Sequence, residues 1–154
     1  MTTITHNHKT TSPVSPFIAA LIANFLWINA SEVFRYFIFV MPMMRSAFPM
    51  LPDVAPMNLS VFMIWSIWDT ILVLTATLLP SMAMKLFGAS AVHAILYGTG
   101  AWMAVFVILW LGLFNMNLAT TNVLAIALPM AWIEMVIAAL IAWWFATRDR
   151  ERIA

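Results

Sequence analysis

Four apolar runs divide the chain, at residues 17–40, 57–79, 90–114 and 123–146. Each is longer than the ~20 residues a helix needs to cross the hydrocarbon core of a bilayer. Lipid offers no partner for an unpaired N–H or C=O, so such a segment closes its hydrogen bonds internally as a helix. The breaks between runs carry suitable punctuation. Pro42, Pro49, Pro52 and Pro56 lie across the first connection, and Pro56 suits the first turn of the second helix. Pro80 is expected to close the second helix, and Gly88 and Ser90 to open the third with Ser90 as N-cap. The polar stretch NMNLATTN, residues 115–122, turns the chain into the fourth. Connections after the first are short, so neighbouring helices should run antiparallel. The predicted fold is all-α, a polytopic integral membrane protein with four transmembrane helices in an antiparallel bundle.

Polar positions within the runs fall on faces. A helix advances 100° per residue, which places Asn24, Ser31, Glu32 and Arg35 on one side of the first helix and Asn29 off it. Ser66, Asp69, Thr70 and Thr77 share roughly 100° of arc on the second, with Trp65 and Trp68 pointing elsewhere. His93, Tyr97, Gly100, Ala104 and Asn115 align within about 60° on the third. Ala127, Ala131, Glu134 and Ala138 make a stripe of similar width on the fourth. Small residues let membrane helices approach closely and ionisable ones avoid lipid, so these faces are expected to meet in the bundle interior. Counted from the centre of each run, Asp69 and Glu134 lie within roughly 2 Å of the midplane. Glu32 and Arg35 come out about 5 and 10 Å from it towards the first connection. Trp27, Trp102, Trp110, Trp143 and Trp144 fit lipid-facing or interfacial positions.

Composition agrees with the pattern. Of 154 residues 64% are hydrophobic and only 8% charged, against about 25% charged in a soluble domain. Net charge is +1, which gives no electrostatic case for nucleic acid. Absence of cysteine excludes disulfides, thiolate metal sites and thiol catalysis. Residues 1–16 read as a disordered cytoplasmic tail and 147–154 as a charged cytoplasmic tail around the transmembrane domain, 17–146. Lys9, Lys85, Arg148, Arg150 and Arg152 fall on one side of the membrane and Arg45 alone on the other. The positive-inside rule then places both termini in the cytoplasm, with a bacterial inner (plasma) membrane as the expected location. Residues 17–28 also resemble a signal-peptide core, but the apolar run resumes at Val33, which favours an uncleaved span.

Candidate chemistry concentrates in Glu32, Arg35, Asp69 and Glu134. Fully ionised, three acids and one arginine carry a net charge of −2, and uncompensated charge in a bilayer is costly. Arg35 is expected to pair with Glu32 or Asp69, leaving Glu134 to hold a proton. Pro129 deprives the Ala125 carbonyl of its helical partner and should kink the fourth helix one turn before Glu134. The segments SIWDTIL and AWIEMVI place Asp69 and Glu134 alike on two helices, a weak internal match. Asn24, Ser31, Ser66, Thr70, His93, Tyr97 and Asn115 are read as a secondary polar lining. His93 and Tyr97 equally suit an interfacial histidine and an aromatic anchor. Met41, Met43, Met44 and Met50 with His6 and His8 offer soft copper ligands, but methionine is a routine apolar residue and no metal or cofactor is expected. No phosphate loop, zinc helix, nucleophile elbow or dinucleotide fingerprint occurs.

The leading functional expectation is transport, or proton or cation coupling, through the intramembrane carboxylate–arginine cluster. The first alternative is a non-catalytic subunit or assembly factor whose charges form a structural ion-pair network. The second is a membrane enzyme acting on a lipidic substrate through Glu134, Asp69 or His93, and it ranks below the others. Expected partners are the lipid bilayer and a second copy or another membrane subunit.

Overall fold

The computed structural model describes residues 15–153, with side chains for residues 15–148. Among the described residues there are four long helices: α1 (Pro16–Ala47), α2 (Leu59–Phe87), α3 (Ala91–Asn115) and α4 (Thr121–Ile153). Even the shortest, α3 with 25 residues, is about 37 Å long and exceeds the ~30 Å hydrocarbon core. The surface is largely apolar and the charged side chains within the spans, Glu32, Arg35, Asp69 and Glu134, are inside, the inverse of a soluble bundle. Leu26 and Ile64 are exposed, while Asn24, Glu32, Arg35, Asp69, Thr77 and Glu134 are buried. The protein is a four-helix membrane protein.

Each helix starts on a side-chain cap. The oxygens of Ser15, Asn58, Ser90 and Thr120 accept from the backbone N–H of Ile18, Val61, His93 and Val123. Ser90 was legible in the sequence; the start of α2 was not. Asn58 takes the cap, so Pro56 stays in the connector, where its carbonyl accepts from the Tyr36 hydroxyl. Gly88, with φ +110°, ends α2 in a conformation L side chains rarely adopt.

Two prolines, Pro42 expected in the first connection and Pro80 expected to close α2, lie inside helices instead. Pro42 is within α1, directly after a π-helical turn over Tyr36–Val40. A proline ring crowds the carbonyl four residues back, here Ile38, which lies within the wider turn. Pro80 is buried in α2, which continues to Phe87. The Ser81 and Thr77 hydroxyls donate to the carbonyls of Thr77 and Val73, at 2.6 and 2.8 Å, on the turn before it. Within lipid, a continuous helix that forgoes one bond at proline is cheaper than a break that frees several. At the other end of the chain α4 runs to Ile153, so the charged end is helical.

Helix α4 is the centre of the bundle and packs against all three others. Its inner face explains this: Ala127, Ala131, Ala138 and Ala139 are fully buried and allow close approach. The nearest approach is at Gly98 of α3, where an added Cβ would lie 2.7 Å from the Met135 carbonyl oxygen and 2.8 Å from the Val136 Cα. The inward face of α3 is therefore Ala94, Gly98, Ala101 and Phe106. It is not the expected face, since Gly100, Ala104 and Asn115 are exposed. A second π-helical turn, Met103–Val107, contributes to the difference. An ideal series 94, 98, 101 continues to 105, and the extra residue in the turn brings Phe106 inward instead.

Candidate functional site

Arg35 is the hub of the buried polar cluster. It ends the regular α-helical part of α1, just before the π turn, on the face that also buries Asn24, Ile28 and Glu32. One guanidinium nitrogen, Nη2, donates to Glu32 Oε1 one turn back on α1. The other, Nη1, donates to Glu134 Oε2 on α4 at 3.0 Å. The guanidinium also lies over the Phe106 ring of α3, with Cζ 5.0 Å from the centroid, a cation–π contact. One side chain thus touches groups from three helices, and Glu134 is entirely enclosed.

The pairing differs from expectation. Glu32 is a partner of Arg35 as anticipated, but the second is Glu134, not Asp69. Helix length supplies the reason. Since α1 extends to Ala47, its centre moves about 5 Å along the chain, which leaves Arg35 only about 5 Å from the middle of its span. Glu134 lies about 1 Å from the centre of the apolar part of α4, Thr121–Arg148, within reach of a long arginine. Asp69 is about 6 Å from the centre of α2, towards the Arg45 end.

Asp69 nevertheless belongs to the same cluster. It is buried beside the Trp65 indole and within electrostatic reach of Glu32, Arg35 and Glu134. Two carboxylate oxygens, Asp69 Oδ1 and Glu134 Oε1, are buried without any hydrogen-bond partner among the described residues. Ser31 is half-buried beside Glu134.

A second polar node ties the bundle together. Asn24 Nδ2 of α1 donates to Thr77 Oγ1 of α2 at 2.9 Å and to the Ala138 carbonyl of α4 at 3.1 Å. Two indoles expected to face lipid instead bond inward. Trp27 Nε1 donates to the Glu134 carbonyl at 3.1 Å and Trp102 Nε1 to the Leu128 carbonyl at 2.9 Å. Trp27 lies one turn from Asn24, so its inward lean had a readable signal. Phe106 had none, because the π turn that places it is invisible in an ideal helical projection.

Several expected lining residues are elsewhere. Ser66 and Thr70 are exposed, and their hydroxyls donate to carbonyls of their own helix, Phe62 and Ser66, at 2.9 and 2.8 Å. A hydroxyl satisfied in this way can face lipid, which the helical projection did not weigh. Asn115 is exposed at the end of α3. His93 and Tyr97 stack on each other and close the α2–α3 connector: His93 Nδ1 lies 2.8 Å from Ser90 Oγ, and the Tyr97 hydroxyl donates to the Gly88 carbonyl at 3.2 Å. Among the described residues no three His, Asp or Glu side chains converge as a metal site. His6 and His8 lie outside the described residues.

No protein family, curated protein or solved structure gives a significant match to this chain.

Proposed function

We propose that this membrane protein moves or couples protons or cations through the buried cluster of Glu32, Arg35, Asp69 and Glu134. One observation carries the reading: two carboxylates bind one guanidinium, a third, Asp69, is buried within electrostatic reach of them, and Asp69 and Glu134 each keep a buried oxygen with no donor among the described residues. A purely structural pair needs one acid per arginine, and further acids only add desolvation cost. Surplus intramembrane carboxylates suit a site that exchanges a small positive ion. Arg35 is the fixed counter-charge, with Glu32 and Glu134 as its hydrogen-bonded partners. Flux measured in proteoliposomes with a lumenal pH dye tests the proposal. The expected outcome is ion-driven flux that Asp69→Asn and Glu134→Gln each abolish. Unchanged flux in both variants would sink it.

A second reading, a non-catalytic subunit or assembly factor, is favoured by how completely Arg35 is enclosed. Its two carboxylate bonds and the Phe106 contact lock α1, α3 and α4 together. Under that reading the protein is inert alone and co-purifies in mild detergent with a membrane partner in fixed stoichiometry.

A further inference from the structure

Resting on the ion-coupling reading, we infer that the exchanged ion is the proton and that Asp69, rather than Glu134, is the group that takes it up and releases it. The three acids are not equivalent. Glu32 and Glu134 are each hydrogen-bonded to Arg35, which fixes them at the α1–α4 contact. Asp69 comes from α2, is only 6% exposed, and among the described residues has no ion-pair partner and no hydrogen bond to Oδ1. It is the carboxylate whose charge Arg35 does not match.

The surroundings of Asp69 select a proton over a metal cation. The charged groups that reach it are Glu32 and Arg35 from α1 and Glu134 from α4. Helix α2 itself contributes the Trp65 indole, against which Tyr36 of α1 packs, and α3 brings the uncharged Phe106 ring to the cluster. Hard cations such as Ca²⁺ and Mg²⁺ take about six or more oxygen ligands. Here the centre of the cluster is already filled by a guanidinium, which repels a second cation. A proton needs one oxygen and no cage. With one arginine against three acids, every bound proton also removes one unit of a charge that the bilayer interior disfavours.

The step is a simple proton exchange: hydronium gives a proton to the Asp69 carboxylate, breaking one of its own O–H bonds and leaving water as the O–H bond of the carboxylic acid forms, and in the reverse direction water takes the proton and leaves as hydronium. When Asp69 is ionised it attracts Arg35 and competes with Glu134 for the guanidinium. Loading of Asp69 therefore sets the strength of the α1–α4 pair, which joins proton binding to helix packing.

Infrared difference spectroscopy on the protein in liposomes tests the assignment, alongside flux measured in sodium, potassium and choline media. A protonated-carboxyl band that shifts in D2O is expected in the wild type, lost in Asp69→Asn and retained in Glu134→Gln. Flux should persist with choline as the only other cation. A band that survives in Asp69→Asn overturns the inference, as does flux that requires sodium or potassium. Should Asp69→Asn fail to fold, Asp69→Glu must move the band, and an unmoved band is equally fatal. Absence of flux in every medium, with the band still lost in Asp69→Asn, supports the proton site while refuting the coupling function.

Discussion

The Arg35 guanidinium and the Glu134 carboxylate, 3.0 Å apart, join α1 to α4 from positions 99 residues apart in the chain. Glu134 is wholly buried and the Arg35 side chain is 6% exposed, so neither can turn to water if the other is lost. Removing one partner of a buried pair strands a charge and costs about 3–5 kcal/mol, whereas apolar replacement of the whole set is often neutral. Arg35→Ala should therefore lower stability by about that much, read as thermal unfolding in detergent. Replacing Glu32, Arg35 and Glu134 together by Leu, Met and Leu should recover most of the loss. A triple variant no more stable than Arg35→Ala would show that the cluster is not acting as a charge network.

Two glycines on α3 make a sharper contrast. A Cβ at Gly98 would stand 2.7 Å from the Met135 carbonyl oxygen, and backbone cannot yield as a flexible side chain can. Gly100, two residues on, has nothing within 4 Å of the same position. Gly98→Ala should push α3 away from α4 and destabilise by about 1–3 kcal/mol, the usual range for overpacking. Gly100→Ala should be neutral or stabilise by about 0.5–1 kcal/mol, since alanine is the better helix residue. Equal melting temperatures for the two variants would contradict the packing described for α3.

That contrast marks what the sequence could convey. Four spans were legible because long apolar runs leave the backbone no choice but helix. The face of α4 was legible because Ala127, Ala131, Glu134 and Ala138 follow one ideal period, and α4 is placed where that period is needed. The face of α3 was not. Gly98 and Gly100 look alike in composition, and only the approach of Met135 separates them. The second partner of Arg35, Glu134, was missed for a related reason. Pro42 suggested an early helix end, and the π turn that carries α1 past it also changes the depth at which Arg35 sits.

Asn24 and Thr77 offer a measurable neutral counterpart to the ion pair. Their 2.9 Å hydrogen bond lies in the same interior but strands no charge when cut. Interhelical bonds of this kind measure about 0.6 kcal/mol on average and reach about 1.7 kcal/mol. A double-mutant cycle of Asn24→Ala and Thr77→Val should give a coupling energy in that range. Asn24→Ala alone should cost more, because it also breaks the bond to the Ala138 carbonyl and leaves a cavity between three helices. A coupling energy of zero would show that Asn24 and Thr77 merely lie side by side.

Topology can be tested in the natural background, since the chain contains no cysteine. The excess of Lys and Arg near the chain ends and at Lys85 predicts that the α1–α2 connector faces away from the cytoplasm. Met50 in that connector is 91% exposed and Leu86, near the end of α2, is 71% exposed, so both sites can accept a probe without disturbing packing. In intact cells a membrane-impermeant maleimide should label Met50→Cys and spare Leu86→Cys until the membrane is permeabilised. Arg45 opposes this orientation as a lone positive charge, but it donates to the carbonyls of Val54 and Ala55 and caps the connector locally. Its position is therefore accounted for by the loop it holds, and the reverse labelling pattern would mean that the remaining basic residues do not set the orientation either.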